Sequence, residues 1–365
     1  MRRGKHDKET ARIRAILILV ALCVLIPMVG SLMHRGDAPK DGGEAEVPEQ
    51  EQPQEEGSYP DSGHLTAGLH GSRVTIVREG DPYVESGAFC FDDRTGPVTN
   101  CEIAGEVDTD APGDYEVTYT FLGENAKAEV SRTVRVVPLE EFEGDTDGIP
   151  VLMYHWVYTA DDVPEDLDAN YILDTELEEQ LAWLKENDYY NPSLAEIRAY
   201  ADGLIDLPEK SVVLTFDDGR YNFLELGIPL LEKYEQPAIS FLIGVNDGAE
   251  KIAEFASPYV DFQSHSYDMH HGGGTVGHGG IISAMTREEI EADLQQMIDM
   301  TGSAQGFAYP YGDVTWEAQQ AITNKEILCA FTTEQKRIYV GSDPTAFGRV
   351  RIVGGNGLDG FIWSL

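Results

Sequence analysis

The run Ser211-Val212-Val213-Leu214-Thr215-Phe216 is apolar or β-branched at almost every position and leads straight into Asp217-Asp218-Gly219. Hydrophobicity that does not alternate belongs to a strand covered on both faces, the situation of a parallel sheet flanked by helices. The chain is thereby directed to an α/β architecture, and the two aspartates fall at the carboxyl edge of the strand, where such folds keep their chemistry. Adjacent side chains on a strand point to opposite faces, so Asp217 and Asp218 can serve one site only if the backbone leaves strand geometry there. Gly219 permits that departure. Two carboxylates this close repel unless a cation or a proton intervenes, and a divalent metal on one keeps the other ionised as a base. Taken alone, Asp-Asp-Gly also suits an ordinary turn that closes a strand.

A second apolar run, Tyr259-Val260-Asp261-Phe262-Gln263, leads to His265-Ser266-Tyr267-Asp268-Met269-His270 and a Gly-rich stretch beginning at Gly272. On an α-helix His265 and His270 would diverge by roughly 140°. Their convergence requires a loop. Two neutral imidazoles with one carboxylate make an open three-ligand site that leaves room for water and substrate, as in catalytic zinc centres. His271 is an alternative to His270, and His278 reads as a loop residue. A solvated His-rich loop that binds metal adventitiously is the competing reading.

These segments resemble the polysaccharide deacetylases of the NodB-homology group, carbohydrate esterase family 4. Their first motif is Thr-Phe-Asp-Asp-Gly and their second pairs His-Ser/Thr with a later histidine. The resemblance covers residues 148–365 and implies a distorted (β/α) barrel. It assigns Asp217 as catalytic base, Asp218, His265 and His270 as ligands of a divalent metal (zinc first, with cobalt or nickel as alternatives), and the backbone N–H of Tyr311 as oxyanion donor. The family's third motif carries an arginine that is absent from Phe307-Ala308-Tyr309-Pro310-Tyr311-Gly312; Arg349 and Arg351 are the candidates to replace its charge beside Asp217. No histidine follows His278, so the usual late proton donor is also missing. The apolar segment Ile149-Pro150-Val151-Leu152-Met153-Tyr154 ends in His155, which resembles the subset with circularly permuted motif order, including biofilm poly-N-acetylglucosamine deacetylases. In that reading His155 protonates the leaving amine.

Upstream, a basic tail (residues 1–14) precedes the uncharged apolar stretch 15–33, long enough to cross a bilayer with its positive flank in the cytoplasm. An uncleaved anchor suits that length better than a signal peptide. Residues 34–63, rich in Glu, Gln, Pro and Gly, read as a disordered acidic tether. Residues 64–138 alternate in the manner of a small sandwich, and their turn residues resemble bacterial Ig-like surface domains, with a spacer role expected. Cys90 and Cys101 are expected to bridge that sandwich.

The fold class expected is thus α/β: a distorted (β/α) barrel preceded by a small all-β Ig-like sandwich and a transmembrane helix. The resemblance implies hydrolysis of N-acetyl groups on a cell-surface or exported glycan containing N-acetylglucosamine, by a single-pass membrane protein with an extracellular catalytic domain. A net charge of -39 argues against nucleic acid as partner, because phosphate binding needs basic patches. Two alternatives stay open: a noncatalytic glycan-binding surface protein with a decayed barrel, and an amidase or peptidase using the same ligands.

Overall fold

The computed structural model describes residues 63–124 and 126–365. The expected basic tail, the transmembrane segment 15–33 and nearly all of the acidic tether lie outside the described residues. Among those described, no helix is long and apolar enough to cross a membrane.

The N-terminal unit is a sandwich of two sheets. Strands β1 (Leu65–Leu69), β3 (Ala88–Asp92) and β4 (Gly96–Pro97) form one; β2 (Val74–Arg78), β7 (Lys127–Val137), β6 (Gly113–Leu122) and β5 (Cys101–Ala104) form the other, in that spatial order. Tyr119, Phe121, Val134 and Val136 alternate inward from β6 and β7 to fill its core, as period-2 patterning requires. Cys90 and Cys101 are free thiols, against the expected disulfide. Both pack in the core of the sandwich, and burial pushes the Cys90 thiol up to about 12.

The second unit is a closed barrel of seven parallel strands. Strand β8 (Val151–Tyr154) opens it; β9 (Trp156–Tyr158) and β10 (Tyr171–Leu173) form a small parallel pair outside the ring. Helices α1 (Asp174–Glu186) and α2 (Leu194–Ala201) lead to β11 (Val213–Asp218). The chain then runs through α3 (Tyr221–Tyr234), β12 (Ala238–Leu242), α4 (Gly248–Phe255), β13 (Val260–Ser264), α5 (Arg287–Thr301), β14 (Gly306–Ala308), α6 (Trp316–Asn324), β15 (Cys329–Gln335), β16 (Phe347–Arg351) and α7 (Gly357–Ile362). β16 pairs with β8 to close the ring. Every residue of β11 is buried, as its unbroken apolarity demands. Leu214 and Phe216 pack outward among α1 and α3, with the Phe216 ring 4.2 Å from Phe223. Thr215 and Asp217 face the barrel interior, where Arg349 reaches both.

The sandwich is joined to the amino-terminal end of the barrel by several polar contacts. His70 meets Asp261 at the start of β13 (2.8 Å), Ser86 bonds Ser193 at the α2 N-cap (2.8 Å), and Ser72 and Asn191 exchange backbone and side-chain bonds. Arg132, fully buried, ties His70, Ser72 and Gly87 together through their carbonyls. This floor lies at the opposite ends of the strands from Asp217, Asp218 and His265.

Candidate metal and catalytic centre

Strand β11 carries its ladder through Asp218, whose φ of +72° turns the backbone left-handed one residue earlier than the glycine. That turn brings Asp218 back over the barrel mouth while Asp217 keeps the inward direction set by strand alternation. Gly219 continues the left-handed turn at φ +57°, and a Cβ there would press on the Leu242 side chain at 2.1 Å, so the position favours glycine.

His265 follows β13 directly, and the loop to His270 is shaped by Asp293 of α5, which accepts from Tyr267 N (2.7 Å) and Asp268 N (2.8 Å). The two imidazole rings end 4.8 Å apart. Asp218, His265 and His270 each offer a ligand atom, and these atoms all lie within 4.8 Å of one another. His271 bonds the carbonyl of Gly272 and stays outside the cluster; His278 lies against Asp313 (3.3 Å).

The donor set fits a cation. His265 Nδ1 lies 2.7 Å from the carbonyl oxygen of Ala308, an acceptor, so this nitrogen carries the proton and leaves a lone pair on Nε2. That lone pair faces Asp218 Oδ1 at 3.5 Å, and His270 Nε2 faces the same oxygen at 3.4 Å. Acceptors so arranged repel unless positive charge sits between them. The ionisation equilibria show the same need for positive charge, met by protons on the imidazoles when no cation is bound. Burial works to raise the Asp218 carboxyl, but His265, with His155 and His270, outweighs it and holds the group far below the usual carboxylate range. For His265 burial works downward, yet the bond to Asp218 and the charge of Asp217 carry the imidazole above its ordinary value.

Arg349, not Arg351, faces Asp217. The guanidinium is completely buried and makes two parallel bonds of 2.7 Å to the carboxylate oxygens, with further bonds to Thr215 Oγ1 and Thr332 O. Burial pushes Asp217 up, but Arg349 more than offsets it, so the carboxyl lies below its ordinary value. Arg351 instead bonds Asn170.

His155 directly follows β8 on the same rim. Burial lowers its imidazole first, and the negative charges of Asp217 and Asp218 restore part of the loss. Tyr311 has φ +61°, and its ring stacks on His270 with centroids 4.8 Å apart. Two residues escaped the sequence reading. Asp313, buried, accepts from His278 N (2.7 Å) and Gly280 N (2.8 Å) and so pins the Gly-rich loop; its position after Tyr311-Gly312 was the available signal. Trp156 donates its indole N–H to Asp218 Oδ2 at 2.9 Å, and only adjacency to His155 hinted at it.

Residues 205–328 match the family model of polysaccharide deacetylases, and residues 67–136 match that of the bacterial surface protein Ig-like domain. Over residues 205–328 the chain is thus similar to a polysaccharide deacetylase. An 87-residue segment is 44% identical to the poly-β-1,6-N-acetyl-D-glucosamine N-deacetylase of Escherichia coli K12, covering 23% of this chain but only 13% of that protein. The enzyme of the same name from Staphylococcus epidermidis is 24% identical over 196 residues, half of this chain and 68% of the relative. Among solved structures, the Streptococcus pyogenes deacetylase PplD in complex with acetate superposes with a TM-score of 0.50 at 20% identity, covering 60% of this chain and 97% of that one. That likeness concerns the fold alone.

Proposed function

We propose that this barrel hydrolyses N-acetyl groups on a polysaccharide containing N-acetylglucosamine, with a divalent metal held by Asp218, His265 and His270. The observation that carries the reading is the meeting of this ligand triad with the Arg349-bound carboxylate of Asp217 at one barrel mouth. A divalent cation bound there supplies Lewis acidity to the acetyl carbonyl and lowers the pKa of water toward about 7.

The chain's own residues do the rest. Asp217, kept ionised by Arg349, retains lone pairs beyond the two that accept from the guanidinium, and it takes a proton from the attacking water. As the carbonyl oxygen gathers charge, the Tyr311 N–H donates to it. His155 must protonate the departing nitrogen, because an amine anion is too poor a leaving group. Its lowered pKa makes the imidazolium a strong donor, which acts once it has gained its proton.

For the substrate we propose a β-1,6-linked N-acetylglucosamine polymer. The support is the position of His155 directly after the first barrel strand, ahead of the Asp-Asp motif, together with relatives named for that polymer. We further propose that residues 15–33 anchor the chain in the cell membrane with the catalytic domain outside. Acetate release from a panel of acetylated glycans and peptides, with elemental analysis of the same sample, tests the reading. Bound metal with no acetate from any glycan would leave a glycan-binding barrel, and peptide cleavage would make it a peptidase.

A further inference from the structure

The two oxygens of the Asp218 carboxylate are not equivalent. Oδ1 faces His265 and His270, whereas Oδ2 accepts the indole N–H of Trp156 at 2.9 Å. We infer that Trp156 is a positioning residue that fixes Asp218 as a one-oxygen metal ligand, and that Arg220 seats the indole for this purpose. The inference rests on the metal-site reading above and names the group that shapes it.

Three features carry it. An indole is a donor only, so it holds Oδ2 without competing for the cation. It occupies Oδ2 and disfavours a two-oxygen grip, which leaves coordination positions for water and substrate as an open catalytic site needs. The ring is also held from several sides. Its backbone N donates to Asn170 O at 3.1 Å, its edge packs on Tyr171 at 4.7 Å and 68°, and the Arg220 guanidinium lies 3.4 Å over its face.

Arg220 belongs to the same turn as the ligand, with Gly219 between them. The tight turn that lifts Asp218 over the barrel mouth therefore also sends the cation onto the indole. A cation on the π-face draws ring density toward itself and leaves the N–H a stronger donor. Trp156 in turn follows His155, so one short segment brings both a proposed proton donor and the group that orients the metal carboxylate.

The test uses the full chain in detergent. Trp156→Phe keeps an aromatic ring and removes the N–H. Zinc affinity, measured by competition with a chromophoric chelator, should weaken about 10- to 100-fold, the cost usual for losing such a partner. The visible absorption of the cobalt-loaded variant should shift, because a freed Asp218 can offer both oxygens. Unchanged zinc affinity with superimposable cobalt spectra overturns the inference. A wild-type chain that binds no metal overturns the metal-site reading itself, so the two failures are distinct. Should Trp156→Phe fail to fold, 15N-labelled wild type decides. One of the four tryptophan indole N–H resonances should be protected from exchange and move on zinc addition; four that ignore zinc refute the role.

Discussion

Replacing Arg349 with Met is the most demanding perturbation of this barrel. The side chain is fully buried and holds both oxygens of Asp217 at 2.7 Å. Methionine approximates its stem but leaves a carboxylate in the interior with no counter-charge. Removing one partner of a buried pair typically costs about 3–5 kcal/mol, and the Thr332 carbonyl loses a donor as well. At about 2–4 °C per kcal/mol for a domain of this size, the melting temperature should fall on the order of 10 °C. The pH dependence gives a sharper signature. In the wild type the folded pKa of Asp217 lies below its unfolded value, so its contribution is present above the unfolded pKa and is lost as pH falls through the folded one. In the variant the burial that remains raises the folded pKa above the unfolded value. Stability is then favoured below the unfolded pKa and lost as pH rises through the folded one. The deficit relative to wild type should accordingly widen between about pH 4 and pH 7. Urea titrations at several pH values within that range measure it. A deficit under about 1 kcal/mol at neutral pH, or one that does not grow with pH, would show that Arg349 does not hold Asp217 as an ion pair.

Asp217→Asn should abolish acetate release yet retain metal, while Asp218→Ala should lose both; equal metal loss in the two, by elemental analysis, would reverse the assignment of base and ligand. His155→Ala should keep its metal and lower kcat by about 10²- to 10⁴-fold, the usual worth of a positioned proton donor, and near-normal turnover would remove it from the mechanism. His70→Ala removes one of the two side-chain partners of Asp261 at the floor of the barrel, leaving Gln263 on the other oxygen, and should lower stability by about 1–3 kcal/mol without changing metal content, as read by urea denaturation and elemental analysis. If the sandwich were a free spacer, that variant would melt like the wild type.

Several of these features were legible from residue order alone. The unbroken apolarity of 211–216 specified a doubly covered strand, and β11 proves to be buried along its whole length. The spacing of His265 and His270 ruled out a shared helical face and required the loop that is found. Alternation in 64–138 specified a sandwich. The break from strand geometry was also anticipated, although it begins at Asp218 and not at Gly219, because the residue before the glycine itself takes up the left-handed conformation. The state of Cys90 and Cys101, free thiols in the structure, is not set by their sharing one small domain.

What the sequence by itself determined, then, is local: element type, burial pattern, and which chemical groups stand at strand ends. Those follow from interactions between near neighbours. Tertiary structure alone decided which distant groups meet. Arg349 and Arg351 share strand parity, so alternation cannot separate them; one pleat repeat, roughly 6–7 Å along β16, sets one beside Asp217 and the other beside Asn170. Arg349 and Asp217 are 132 residues apart and adjoin only because β16 closes the ring on β8, next to β11. The bond from Trp156 to Asp218 and the seating of the sandwich on the barrel floor arise in the same way, from the closure of a curved sheet that no local pattern encodes.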